Sequence, residues 1–268
     1  MPSETQPDWG AMAEKFDLWL PYIKPAGDAL IRKLDPRSGE SILDVASGTG
    51  EPVLTLAQQV DDLVITGTDA AQGMVDVAQQ KADHLKLKNI HFSRMAAENL
   101  ALDPNSFDKI MSRFGVMLFA NPEQGLREMY RVLKPGGACS FTVWSTPESM
   151  TTMRWMYEVF KDKVPADKYP PLKIATSLSQ PGLLNKLLKE IGFHSISIEE
   201  LAFDYRFNSF DEYWNLLLAS DIIKPQLDLI NQETKAQVKH ELNECAQTGI
   251  TKNGLIIPHR YLLCYGKK

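Results

Sequence analysis

Cysteine is scarce and scattered. Cys139, Cys245 and Cys264 stand far apart, show no paired metal-type spacing and leave an odd thiol. A disulfide framework is therefore not expected, and a reduced, cytoplasmic setting is. Histidine is equally thin: His84, His91, His194, His240 and His259 have no ligand spacing, so no metal centre is expected. Long apolar runs are missing as well. Nowhere do the roughly 18 uninterrupted apolar residues of a membrane span occur, and Met1 to Asp8 carry neither a basic stretch nor the apolar core of an export signal. Positive charge is in deficit, with 29 Lys and Arg against 34 Asp and Glu and a formal net charge of −5. No global positive field would hold DNA or RNA, so nucleic acid is not expected as a partner.

What is present is the material of a packed globular protein: 268 residues, 44% hydrophobic and 24% charged. In the first half, short apolar runs alternate with amphipathic stretches. Ser41 to Ala46, Leu63 to Asp69, Ile90 to Met95, Phe107 to Phe114 and Ala138 to Trp144 read as strands. Helices are expected over Pro52 to Gln59, from Met74 towards Lys86, and from Asn121-Pro122 to a stop at Pro135-Gly136-Gly137. Such alternation implies right-handed crossovers and a parallel sheet covered on both faces. The second half is mainly helical. Glu148 to Phe160 carries Trp155, Met156, Val159 and Phe160 at helical spacing, a set that reads as core before pocket, and Pro165 to Pro171 reads as a linker or lid. Ser179 is a candidate cap for a helix closed by Gly192, Ser195 to Ile198 a strand, Ser209 a cap for another helix, Pro225 to Ala246 one helical segment, and Arg260 to Tyr265 the last strand. The expected organisation is a nucleoside-binding core over 1–147 and a helical cap over 148–268 that returns the last strands to the core sheet.

The chemistry concentrates in the first strand-to-helix turn, Asp44-Val45-Ala46-Ser47-Gly48-Thr49-Gly50. Gly48 and Gly50 permit a tight turn and close approach to a ligand, and the following helix offers N–H groups to an anion. Asp69 ends the second strand about twenty residues on, where a carboxylate either caps the next helix or accepts from both hydroxyls of a ribose. Val53 occupies the third glycine position of the dinucleotide fingerprint, which disfavours a nicotinamide cofactor.

With Thr68-Asp69, Ala97-Glu98, Ser106-Phe107-Asp108 and Arg131 to Gly137, the stretch Ile42 to Gly50 resembles the class I S-adenosylmethionine-dependent methyltransferases, and within them the ubiquinone and menaquinone biosynthesis subgroup. The resemblance covers roughly residues 40 to 145. It implies an α/β, Rossmann-like sheet of seven strands, mostly parallel with the last antiparallel, and S-adenosyl-L-methionine as cofactor. By position it implies Asp44, Ala46, Ser47, Gly48 and Gly50 at the methionine end, with Arg113 facing the same moiety. Asp69 would lie at the ribose, Ala70 and Met74 near the adenine, Ala97 and Glu98 in the adenine-contacting loop, and Trp19 on a leading helix, with Phe16 and Tyr22, that closes over the cofactor. Ala96 stands where many relatives carry an acid, and Ala46 replaces the motif's first glycine.

In-line attack of an acceptor O, N or activated C on the sulfonium methyl is then the expected reaction. The acceptor is expected to be a small molecule, apolar or aromatic because the cap is rich in Trp, Tyr, Phe, Met and Leu. His259, Tyr22 and Glu98 are the candidate bases. A quinone-type C-methyltransferase is the nearest alternative; a nucleotide-dependent oxidoreductase and a non-catalytic cofactor-binding module stand further off, and an oligomer is compatible with all of them.

Overall fold

A computed structural model describes residues 8–268. The stretch read above for an export signal lies, except for Asp8, outside the described residues. Asp8 caps the first helix, α1 (Trp9–Phe16), by accepting from the Ala11 N–H at 3.1 Å. A 3₁₀ turn (Asp17–Trp19) leads into α2 (Leu20–Leu34). Then come β1 (Ser41–Val45), α3 (Val53–Gln59), β2 (Val64–Asp69), α4 (Gln72–His84), β3 (Ile90–Arg94), β4 (Phe107–Arg113), α5 (Pro122–Val132) and β5 (Leu133–Trp144). The C-terminal half supplies α6 (Thr151–Phe160), α7 (Leu172–Ala175), α8 (Leu183–Ile191), β6 (His194–Phe207), α9 (Phe210–Ala219), α10 (Lys224–Leu227), α11 (Gln232–Ala246), β7 (Ile250–Thr251) and β8 (Gly254–Lys267).

All strands join one sheet in the order β3-β2-β1-β4-β5-β8-β6, with the two-residue β7 paired to β8 off that path. The first five strands are parallel to one another, and β8 runs antiparallel to both β5 and β6. The mostly parallel sheet with an antiparallel last strand is the expected one, enlarged by the short β7 hairpin arm. The middle of each central strand is buried, as expected where both faces of a sheet are covered. On β1, Ile42 packs into a core with Leu54, Leu56, Ile65 and Met111, while Leu43 packs on the other side with Leu30, Ile110 and Phe141. Neighbours on the chain thus enter different cores, and each fully buried side chain of this size contributes about 1.5–3 kcal/mol. Among the described residues no helix is long and apolar enough to cross a membrane.

Several local expectations are corrected. Pro135-Gly136-Gly137 do not end α5, which stops at Val132; they lie within β5, where the register against β4 shifts between Phe107 and Lys109. The helix expected from Ser179 starts at Leu183 behind Gly182, whose φ of 80° is natural for glycine. The single segment Pro225 to Ala246 is two helices, because Asn231 caps α11 by accepting from the Thr234 N–H at 2.8 Å. The four-residue strand at Ser195 to Ile198 runs on to Phe207, since β8 offers a partner of 14 residues.

Candidate active site

A cavity of about 570 Å³ opens beyond the carboxyl ends of β1, β2, β4 and β5, the place where an open α/β sheet presents its loops to a ligand. Its floor is the β1 turn. Ala46 takes a φ of 57° and Gly48 one of 53°; the alanine therefore adopts the left-handed conformation that its family glycine would adopt freely. The turn is locked from several sides. Ser47 donates its N–H to the Thr68 carbonyl at 2.9 Å, and Gly50 donates to the Ser47 carbonyl at 3.0 Å. The Asp69 carboxylate accepts from the Gly48 N–H and the Ala71 N–H, both at 2.9 Å. The turn's own amides at Ser47, Gly48 and Gly50 are thus spent on holding it. Gly50 serves packing: a side chain there would stand 2.7 Å from Leu54 and 3.1 Å from Phe92.

Beneath the turn, Asp44 is 1% exposed and neither carboxylate oxygen has a hydrogen-bond partner; the buried Ser47 hydroxyl is likewise unpartnered. Burial drives the Asp44 pKa well above the ordinary aspartate value, Arg113 opposes it, and Asp69 and Glu51 add to it. Burial also raises the Asp69 pKa, against the N–H groups of Ala71, Gly48 and Ala70. Arg113, at the end of β4, lines the cavity; burial pulls its pKa down while Asp44, Glu51 and Asp17 pull it up. A buried carboxylate without a partner is costly alone. It therefore describes a site shaped for a cationic group, with a guanidinium near it for an anionic one.

The roof comes from the leading segment. Trp9, Phe16 and Trp19 line the cavity. The segment is tied down where the Thr49 hydroxyl donates to Asp17 at 2.5 Å and Lys81 pairs with Asp17 at 2.9 Å. Gly10 and Gly73 let α1 and α4 touch: a Cβ on Gly73 would stand 2.6 Å from the Gly10 carbonyl oxygen. At the far end, Phe114 stacks on Trp144 at 4.2 Å and 12°. Met117 and Phe119 beyond β4, Met150, Thr152, Met153 and Met156 at the start of α6, and Pro171, Tyr205 and Ile223 complete a mainly apolar wall.

Of the residues singled out in the sequence, the structure brings Trp19, Ala46, Gly48, Asp69, Ala70, Met74, Ala97, Glu98 and Arg113 to the cavity surface. Glu98 is held there by accepting from the Asn121 N–H at 3.0 Å. Asp44 and Ser47 lie directly beneath the turn, and Gly50 faces the α3 side. Of the three candidate bases, Glu98 reaches the cavity surface, while His259 and Tyr22 sit behind the wall. His259 is 1% exposed, stacked on Tyr205 at 4.1 Å, with its pKa lowered by burial to about 4. Tyr22 stacks on Phe207 at 4.8 Å, and burial, followed by Glu212, raises its pKa. Neither belongs to the lining, because the aromatic sheet side chains between them and the cavity fill that space. Trp155 and Phe160 are core, as weighed, and Met156 reaches the cavity. The sequence reading missed Phe114, Trp144, Thr152 and Tyr205. For Tyr205 a signal existed in the period-two spacing of Phe203, Tyr205 and Phe207, all buried.

Residues 42–137 match a family described as methyltransferase domain. The chain is 30% identical over 223 residues to the demethylmenaquinone methyltransferase of Bacteroides fragilis, covering 72% of this chain and 90% of that protein. Among solved structures, the YcgJ protein of Bacillus subtilis aligns with a TM-score of 0.64 at 19% identity, over 91% of this chain and 98% of that one. Phosphoethanolamine N-methyltransferase 2 of Haemonchus contortus, in complex with phosphomonomethylethanolamine and S-adenosylhomocysteine, aligns with a TM-score of 0.58 at 20% identity, over 91% of this chain and 52% of that one. At these identities the structural likeness speaks for the fold alone.

Proposed function

The chain belongs to the class I S-adenosylmethionine-dependent methyltransferases, and on that premise we propose that the cavity holds the cofactor over the β1 turn and a small apolar or aromatic methyl acceptor under the cap. The observation that carries the reading is Asp44, a carboxylate with both oxygens buried and unpartnered below a left-handed turn. An amino-acid moiety fits these residues: its ammonium group answers Asp44 and its carboxylate answers Arg113. Asp69 would hold the ribose hydroxyls, Ala70 and Met74 the adenine face, and Trp19 the roof. When bound, the sulfonium supplies an electrophilic methyl group. The protein's part is to align donor and acceptor and keep water away, an effect worth up to roughly 7–11 kcal/mol. Phe114, Trp144 and the methionines of α6 suit a flat apolar ring. A quinol accepting the methyl on carbon is the second reading, favoured by the name of the Bacteroides fragilis relative. The buried free thiols Cys139 and Cys264 agree with a cytoplasmic setting.

Calorimetric titration with S-adenosylmethionine and S-adenosylhomocysteine tests the cofactor site, with NADH as the control ligand. Micromolar binding that falls at least tenfold in Asp69→Ala is expected. Binding of NADH in preference, or an unaffected variant, would overturn the assignment of this cavity.

A further inference from the structure

Thr152 is the point at which the cap wall stops being apolar. It is the second residue of α6, 5% exposed, and it lines the cavity among Trp144, Met150, Met153 and Tyr205. Its backbone N–H, one of the free donors at a helix start, points at His259 Nε2 from 3.2 Å, and its hydroxyl lies 2.9 Å from the same nitrogen. The other ring nitrogen, Nδ1, lies 3.0 Å from the Ile257 carbonyl oxygen. A carbonyl can only accept, so Nδ1 carries the ring proton and Nε2 presents its lone pair. Nε2 can only accept, so in the shorter of the two contacts the Thr152 hydroxyl is the donor, sharing the lone pair with the backbone N–H. Burial keeps the ring neutral at physiological pH, so the lone pair stays available.

Capping alone would need only the backbone N–H. Neighbouring Thr151 already ties the helix start to β8 by donating to the Pro258 carbonyl at 2.5 Å. The hydroxyl of Thr152 is committed in a further sense: with its only hydrogen turned to His259, its oxygen can offer the cavity nothing but lone pairs. The geometry points to Thr152, held by His259, as a specificity-determining hydrogen-bond acceptor that selects methyl acceptors bearing a ring hydroxyl. The inference rests on the reading of this cavity as the acceptor site. His259 is then a positioning residue. A ligand without a donor leaves a buried oxygen unpaired, whereas a phenol satisfies it, which is how hydroxyl-reading sites discriminate.

The test is equilibrium dialysis of 1-naphthol, naphthalene and 1-methoxynaphthalene against the protein saturated with S-adenosylhomocysteine. Wild type is expected to bind 1-naphthol about tenfold more tightly than either donor-free probe. Thr152→Val should level the three affinities and Thr152→Ser should keep the preference. His259→Phe should level them too, while His259→Gln, which returns an acceptor oxygen, restores part of the difference. A purely structural role would move all three probes together. The wild-type comparison needs no variant to fold: if wild type shows no preference for 1-naphthol, or none of the probes binds, the inference falls. It falls equally if the preference survives in Thr152→Val. Failure of wild type to bind S-adenosylhomocysteine would instead sink the cofactor assignment, so the two failures are told apart.

Discussion

The two ends of the cavity are built on different principles. The floor is backbone and charge drawn from short stretches of chain: a left-handed turn, one buried carboxylate beneath it and another that locks it. The cap end is side-chain surface assembled from β4, β5, α6, α7 and β6, with a polar spot at Thr152, whose hydroxyl is tied to His259 behind the wall. Polar groups left without partners at the floor cost stability in the free protein and return it on binding. Apolar groups at the cap are stable in either state. The floor is thus committed to one ligand, and the cap can vary.

Asp44→Ala breaks this contrast most strongly. S-adenosylhomocysteine affinity should fall roughly a hundred- to a thousandfold, in line with the ~2–5 kcal/mol for truncating one partner of a buried charge pair. The melting temperature of the free protein should rise, because a carboxylate whose pKa is raised by burial opposes folding at neutral pH. Calorimetry reads both. Next comes pH. His259 has a folded pKa of about 4, below that of the unfolded chain, so the unfolded state binds the extra proton between these values. Stability from this residue is complete above about pH 6.5 and is lost as pH falls towards 4, to a total of about 3 kcal/mol. Asp44 and Asp69 act in the opposite sense as they protonate. Denaturant melts of wild type and His259→Gln across this range should therefore converge at low pH.

Gly73→Ala sharpens the comparison from the roof. The added methyl meets the Gly10 carbonyl at 2.6 Å, and overpacking of about 1–3 kcal/mol should lift α1. Cofactor affinity should drop about tenfold, and proteolysis near Trp9 to Trp19 should accelerate. The smallest effect belongs to Lys15→Ala. It removes the 2.5 Å pair with Asp221 that spans from α1 to the cap, but the side chains are 49% and 28% exposed. A surface pair of this kind is worth about 0.2–1 kcal/mol, so cofactor dissociation should quicken less than about fivefold, and less again at high salt.

The same contrast decides what could be read from the sequence. Asp44 ends an apolar strand beside two glycines and Asp69 ends the next strand about twenty residues on, so strand pattern and turn chemistry marked both as candidates before any tertiary contact was known. Arg113 and Glu98 followed from resemblance to a family whose sheet order this chain shares. Phe114, Trp144 and Thr152 carry no local mark; they meet only because β5, β8 and α6 pack together. His259 shows the limit best. A histidine near the last strand suggests a base, and only the fold reveals that one nitrogen is spent on Ile257 and the other on Thr152. The length of β6 was hidden for a related reason, since a strand extends as far as its partner, and β8 lies some fifty residues later.

β8 lies between β5 and β6, and its residues Leu255, Ile257, Leu263 and Cys264 are buried. This placement limits how such a protein can be recombined. The cap helices are insertions within a single sheet whose final staves come from the far side of them, so the halves cannot be exchanged as beads on a string. A fragment cut after Trp144 would keep its cofactor turn but expose the edge of β5, along which Ala138 to Trp144 pair with β8. An unpaired apolar edge of that length is a template for self-association. Chimeras should tolerate junctions in the cap loops, with both ends of the insertion retained, and should aggregate when the junction falls at the apparent domain boundary.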